Sequence, residues 1–200
     1  MSSVHGRRTR REMKGQDLVI LLKLISLEKA GEPDLFRTSS PVSLTEPAST
    51  SLRSLEASIG ISKSEISASQ KRSLASGLAT RIEGGIVPNR RNICEFIVHG
   101  LRYVFPASPG ALQRGIPTSF AAPMLRDRML SAGDDMPVWP WKTGDLRGPA
   151  IEPLFASVPD AAAKDPRLYA YLALTDAIRI GSRREANTAR EMLEADILGR

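Results

Sequence analysis

The sequence predicts a mainly α-helical fold that carries one small β-hairpin, then a proline-rich extended segment, then a C-terminal helical hairpin. Three observations carry that expectation. Apolar residues recur at spacings of three and four along residues 15–31, 52–78 and 166–197, as one buried face of a helix requires. The run LATRIEGGIVP between two helical patterns is divided by a glycine pair. Nine of the 14 prolines fall between Phe105 and Pro159, and proline supplies neither the amide hydrogen nor the free φ that long helices and strands need. The 200 residues suffice for one substantial domain or two small ones. The expected organisation is a basic arm over 1–13, a first module over 14–104, a proline-rich segment over 105–160 packed on the core, and a helical hairpin over 161–200 serving dimerisation.

Each element has a local reason. In GQDLVILLKLISLEKAG, bounded by glycines, Leu18, Leu21, Leu22 and Ile25 form a stripe that Val19, Ile20 and Leu24 widen; so broad a face implies burial against more than one neighbour. Residues 32–51, with three prolines and no sustained period, read as an irregular connection. In LRSLEASI the apolar positions are Leu52, Leu55 and Ile59, and Gly60 then supplies a sharp turn with Ile61 pointing inward. Ser62 and Glu65 fit a capping box that opens a second helix. Its inward stripe is Ile66, then Gln70 or Ser73, then Leu74 and Leu78, and its outward face is Lys63, Ser64, Ser67, Ala68 and Lys71. The glycines after Glu83 permit the positive φ of a tight hairpin, and Pro88 ends it. ICEFIVHG reads as a short helix closed by Gly100, and LRYVF as a strand. From Phe105 to Pro159 regular structure must be short or absent, and the tryptophans, Trp139 and Trp141, are expected to pack on the chain's own apolar surface. Asp165-Pro166 opens a helix with Leu168, Leu172, Thr175 and Ile178 on one face. Gly181 stops it, and a second capping box, Ser182 to Glu185, starts a helix whose seam is Ala186, Ala189, Leu193 and Ile197.

Charge divides the chain. Residues 1–102 hold 16 Lys and Arg against 10 Asp and Glu, and residues 103–200 hold 12 of each, so the whole net charge of +6 belongs to the first half. A polyanion partner is expected there and a neutral module after it. Arg7, Arg8, Arg10, Arg11 and Lys14 make the first residues a basic arm. One cysteine, Cys94, excludes an intramolecular disulfide and a cysteine-rich zinc site, and only two histidines, His5 and His99, leave little for a metal centre. No metal and no cofactor are expected. The opening MSSVHGRRTRREMK lacks the apolar core of a secretory signal, and Leu18 to Leu27 is about half the length of a bilayer span. No membrane association and a cytoplasmic location are therefore expected.

The segment LRSLEASIGISKSEISASQKRSL resembles a helix-turn-helix, and with the glycine hairpin behind it residues 14–90 are similar to winged helix-turn-helix transcriptional regulators, the MarR-like group among them. The resemblance implies a homodimeric, sequence-specific repressor of double-stranded DNA with no catalytic activity. It sets Ser62, Lys63, Ser64, Ser67, Ala68 and Lys71 on DNA, with Arg72 counted beside them. Short side chains let such a helix sit deep in the major groove, where base edges carry a distinguishable code. Arg81 before the glycine turn, and Arg90 and Arg91 after it, lie where a wing meets the backbone. One position departs from the pattern: four residues before the turn glycine, where alanine usually allows a close crossing, this chain has Glu56. Either the crossing is wider or Glu56 turns outward.

Other readings have less behind them. An interaction protein, such as an antitoxin or adaptor, would bind a partner protein through residues 105–200. An enzyme would need a carboxylate site within 120–160, and Asp134-Asp135 behind Gly133 reads as a loop. Cys94 and His99 are five apart, so they do not share a helix face. Cys94 is expected as a small buried hydrophobe and His99 as a capping or core residue. RIEGGIVP lacks the lysine and hydroxyl residue of a phosphate-binding loop.

Overall fold

The computed structural model describes residues 12–32, 36, 50–128 and 136–199. Most of the basic arm, most of the connection over 32–51, and Asp134-Asp135 lie outside the described residues. The fold is mainly helical, with a two-stranded antiparallel sheet and a separate three-stranded sheet. The order is α1 (Gly15–Glu28), α2 (Leu52–Ile59), α3 (Lys63–Ala75), β1 (Ala79–Ile82), β2 (Gly85–Pro88), α4 (Arg90–His99), α5 (Leu101–Val104), β3 (Leu112–Pro117), β4 (Val138–Pro140), β5 (Leu146–Pro149), α6 (Val158–Lys164), α7 (Pro166–Ile180) and α8 (Arg183–Leu198), with a single 3-10 turn at Ser119–Ala121. Among the described residues no helix is long and apolar enough to cross a membrane.

Helix α1 is buried on every side from Gly15 to Ser26, as its apolar width demands, and packs on α2, α3, β2 and α7. A serine caps each of α2 and α3, as expected for Ser62. Ser51 accepts the Ser54 amide at 3.2 Å and Ser62 accepts the Glu65 amide at 3.4 Å. Between them Gly60 takes φ +67°, a left-handed corner that a side chain would strain. Leu55, Ile59, Ile61 and Ile66 close the corner, each almost fully buried. Only half of the expected capping box at Ser62 is present: Glu65 does not return to the Ser62 amide but accepts from Gln16 Nε2 on α1. The hairpin pairs Ala79 with Pro88 through Ile82 with Gly85, and Gly84 carries the positive φ of its turn.

The expected strand at LRYVF is instead the helical turn α5. Gly100 is helical in φ and ψ, and its carbonyl accepts from the Tyr103 and Val104 amides, so local hydrogen bonds satisfy a backbone that has no neighbouring strand. In the proline-rich segment regular structure is short but present: β3 lies between β4 and β5, all antiparallel. Each strand ends on a proline, Pro117, Pro140 or Pro149, where a missing amide costs least. Beyond β5 the Ile151 amide reaches the Val138 carbonyl at 2.8 Å, so the two outer strands also meet. Trp139 is buried; Trp141 is partly exposed and donates to Asp160 Oδ1 at 3.1 Å.

Both caps of the C-terminal hairpin form as read. Asp165 accepts the Leu168 amide at 2.9 Å, and Ser182 and Glu185 exchange both bonds of the capping box. The burial of α7 is broader than a single stripe: Arg167 to Arg179 are buried throughout except Tyr169, which is half-buried. Its neighbours are α1, α4, α5, α6, α8 and the 3-10 turn. The inner faces of the hairpin, including the seam of Ala189, Leu193 and Ile197 on α8, are thus filled from within the chain.

Candidate nucleic-acid interface

The candidate face lies on α3, which Ser62 caps directly after the Gly60 corner. Ser62, Lys63, Ser64 and Lys71 are exposed, and Ser67 and Ala68 are half-exposed, so six of the seven positions expected to face DNA lie on one accessible face of three serines, an alanine and two lysines. The seventh does not. Arg72 points into the core, where its Nε and Nη2 donate to Asp17 of α1 at 2.8 and 2.7 Å, and its side chain is 7% exposed. The Asp17 hydrogen bond holds the guanidinium proton more tightly than usual. Arg72 is therefore a structural anchor and is withdrawn from the DNA-facing set. The reason is angular: Arg72 lies three residues past Ser69, which is fully buried, so the inward stripe takes in two polar residues, Ser69 and Arg72, that the apolar pattern does not display.

The anchor is a small ionic network at the meeting of two helix N-termini. Asp17 also accepts the Lys14 amide at 2.9 Å, and Glu65 lies 3.6 Å from Lys14 Nζ and 3.7 Å from Arg72 Nη2. Carboxylates at first-turn positions of α1 and α3 meet the positive ends of both helix dipoles. Sequence reasoning missed Asp17. An arginine inside a stripe of small buried serines needs a carboxylate opposite, and Asp17 is the one acidic residue buried in α1.

Glu56 resolves the departure from the family pattern by turning outward, where its carboxylate stands 3.5 Å from Lys63 Nζ. Ala57 is exposed and Ser58 half-buried, leaving Leu55 and Ile59 to make the crossing. One of the two lysines of the candidate face is therefore shared with an acid.

The hairpin and α4 supply the remaining cations unequally. Arg81 on β1, opposite Ile86, is exposed, as is Arg91; neither forms an ion pair with a described residue. Arg90 is committed elsewhere. Its Nη2 donates to Glu28 at 3.0 Å and its Nη1 reaches the Ile197 carbonyl at 3.5 Å, pinning α4 to the ends of α1 and α8. The tip of the hairpin is Glu83 and Gly84, with Ile82 beside them, all exposed, so the cation nearest the tip is Arg81 at its flank.

Cys94 is buried. His99 is neither cap nor core: it is exposed on the last turn of α4, with Nε2 3.5 Å from Glu95. Among the described residues no group of three or more His, Cys, Asp or Glu is placed to hold a metal ion. No protein-family model, curated protein or solved structure matches the chain.

Proposed function

We propose that residues 14–90 form a winged helix-turn-helix and that the protein is a sequence-specific double-stranded DNA-binding regulator. The observation that carries this reading is the division of α3 into two faces. Its inner face holds Ile66, Ser69, Arg72 and Ser73 against the core, and its outer face presents Ser62, Lys63, Ser64, Ser67, Ala68 and Lys71 without a bulky side chain. Such a face can approach base edges closely, and Lys71, Arg81 and Arg91 stand ready for phosphates. No chemistry on the DNA is proposed. A homodimer, which a palindromic site calls for, would use a surface other than the α7–α8 seam, because that seam is closed within one chain.

The test is duplex binding by fluorescence anisotropy across a salt series, with a randomised duplex pool followed by its enriched sequence. The expected result is a logarithm of affinity that falls with the logarithm of salt by about 0.9 per phosphate contacted, and a sequence preference lost on Ser67→Ala. Absent or salt-insensitive binding would overturn the reading.

A further inference from the structure

The C-terminal half touches the helix-turn-helix corner at a particular place. The last turn of any helix leaves carbonyls without intrahelical partners, and in α2 two of these are met from across the chain. Ser157 Oγ donates to the Ile59 carbonyl, and Lys164 Nζ donates to the Ala57 carbonyl at 3.1 Å. Ser157 is the N-cap residue of α6, yet its side chain makes no cap bond to α6 itself. A serine in that position ordinarily satisfies its own helix; here the hydroxyl serves α2 instead. The fit is close, since a Cβ placed on Gly60 would lie 3.1 Å from Ser157 Cβ.

The two ends of α6 hold different helices. Directly after Lys164, Asp165 accepts from Lys23 Nζ at 2.9 Å and from Ser26 Oγ at 2.8 Å, both on α1, while capping α7. From the other side Trp141, next to β4, donates to Asp160 of α6. A seven-residue helix about 10 Å long therefore links the three-stranded sheet, α7, α1 and the corner that aims α3.

We infer that α6 is the brace through which the C-terminal half aims α3, with Ser157 and Lys164 as positioning residues for DNA reading. The inference rests on the DNA-binding reading for its functional consequence and on the α2–α6 bonds for its mechanism. Neither residue touches DNA. Each fixes the end of α2, and thereby the angle at which the Ser62 to Lys71 face meets a groove.

The experiment compares full-length wild type, Ser157→Ala, Lys164→Met and Lys164→Arg by two readouts. Amide hydrogen exchange reports the corner without any DNA. Anisotropy with the duplex enriched from a random pool, and with its scrambled counterpart, reports preference. In Ser157→Ala and Lys164→Met, amides of residues 60–66 are expected to exchange about fivefold faster, the effect of one lost hydrogen bond, while amides of α7 keep their protection. Preference for the enriched duplex falls several-fold with the salt slope unchanged, and Lys164→Arg, which keeps a donor, behaves as wild type. Unchanged exchange at 60–66 in both variants would overturn the brace, as would acceleration shared equally by α7, which signals global destabilisation. Faster exchange at the corner in a protein whose wild type prefers no duplex would overturn the DNA reading and leave the brace as a structural joint only.

Discussion

Helices α1 and α7 are both buried on nearly every side, and each carries an aspartate into the interior, but the two carboxylates are held in opposite ways. Asp17 sits in the first turn of α1, where the helix dipole favours negative charge, and it engages both oxygens with the Arg72 fork. Asp176 sits in the third turn of α7, without help from a helix N-terminus. It accepts from Thr118 Oγ1 at 2.9 Å, Trp139 Nε1 at 2.6 Å and Arg179 Nη1 at 2.7 Å. Burial still pushes its carboxyl above the ordinary carboxylate range, against the pull of those partners. Asp17 joins two helices of one local module. Asp176 hooks the proline-rich sheet onto α7 through Trp139 and Thr118, while Arg179 extends the hook to the Phe105 and Glu152 carbonyls. The N-terminal module is thus closed by charges on its own helices, whereas the C-terminal half is closed by bringing two distant segments, at Thr118 and Trp139, to one carboxylate of α7.

The largest expected effect breaks the first of these. Arg72→Met leaves Asp17 buried with only the Lys14 amide, and removing one member of a buried pair costs about 3–5 kcal/mol, read as a lower urea midpoint at unchanged slope. Arg72→Lys keeps the charge but cannot engage both oxygens, so it should fall between wild type and Arg72→Met. A Met variant within about 1 kcal/mol of wild type would mean that the pair does not close the module.

Asp176→Asn tests the other half and should cost less, about 1.5–3 kcal/mol, the worth of hydrogen bonds to a charged group. Its distinctive mark is pH. A carboxyl whose pKa is raised on folding binds more protons in the native state, so its contribution is full below the unfolded value and is lost as pH rises through the folded one. Wild type should therefore gain stability relative to Asp176→Asn as pH falls from 7 toward 4, measured by urea unfolding at each pH. A difference that stays flat or shrinks on acidification would show that the partners outweigh burial.

These two aspartates also mark where the sequence was readable. Elements bounded by local chemistry were legible: Gly60 with Ser62, the turn at Glu83-Gly84, Asp165-Pro166, and the box from Ser182 to Glu185 each act within four residues. What escaped depends on contacts between distant residues. The three-stranded sheet pairs Ile116 with Trp139 and Gln113 with Gly148, and its prolines, which read as coil, stand at strand ends. Helix α6 is too short for a periodic signal, and α5 looked extended because Tyr103 and Val104 favour strands where a partner strand exists. In the candidate interface the outward face of α3 was legible because it follows from helical spacing. Arg72 and Arg90 were misplaced because cations drawn into ion pairs with Asp17 and Glu28 look in sequence like cations free for phosphate.

That last distinction can be sharpened in the interface. Arg81→Ala, Arg91→Ala and Lys71→Ala should each lower the salt slope of duplex binding by about 0.9 with little change in stability. Arg90→Ala should do the reverse, lowering stability modestly because it loses Glu28 and the Ile197 carbonyl while leaving the slope unchanged. Equal slopes for Arg90→Ala and Arg91→Ala would erase the distinction.

The smallest effect is expected at Glu56. Its partner Lys63 is 48% exposed, and at 3.5 Å across the Gly60 corner the pair is worth at most about 1 kcal/mol to stability. Glu56→Gln should therefore unfold within about 0.5 kcal/mol of wild type. Its effect on binding has the opposite sign. The acid lies beside the face that would meet a polyanion, and neutralising it both releases Lys63 and removes a repulsive charge. Affinity for enriched and scrambled duplexes should rise by a similar small factor, and the gain should be greatest at low salt, where screening over the Debye length is weakest. A gain confined to the enriched duplex would instead assign Glu56 to base reading. A loss of affinity would show that the Glu56–Lys63 pair holds Lys63 in the orientation that contacts DNA, and the corner would then be preorganised by an acid where the related pattern uses alanine.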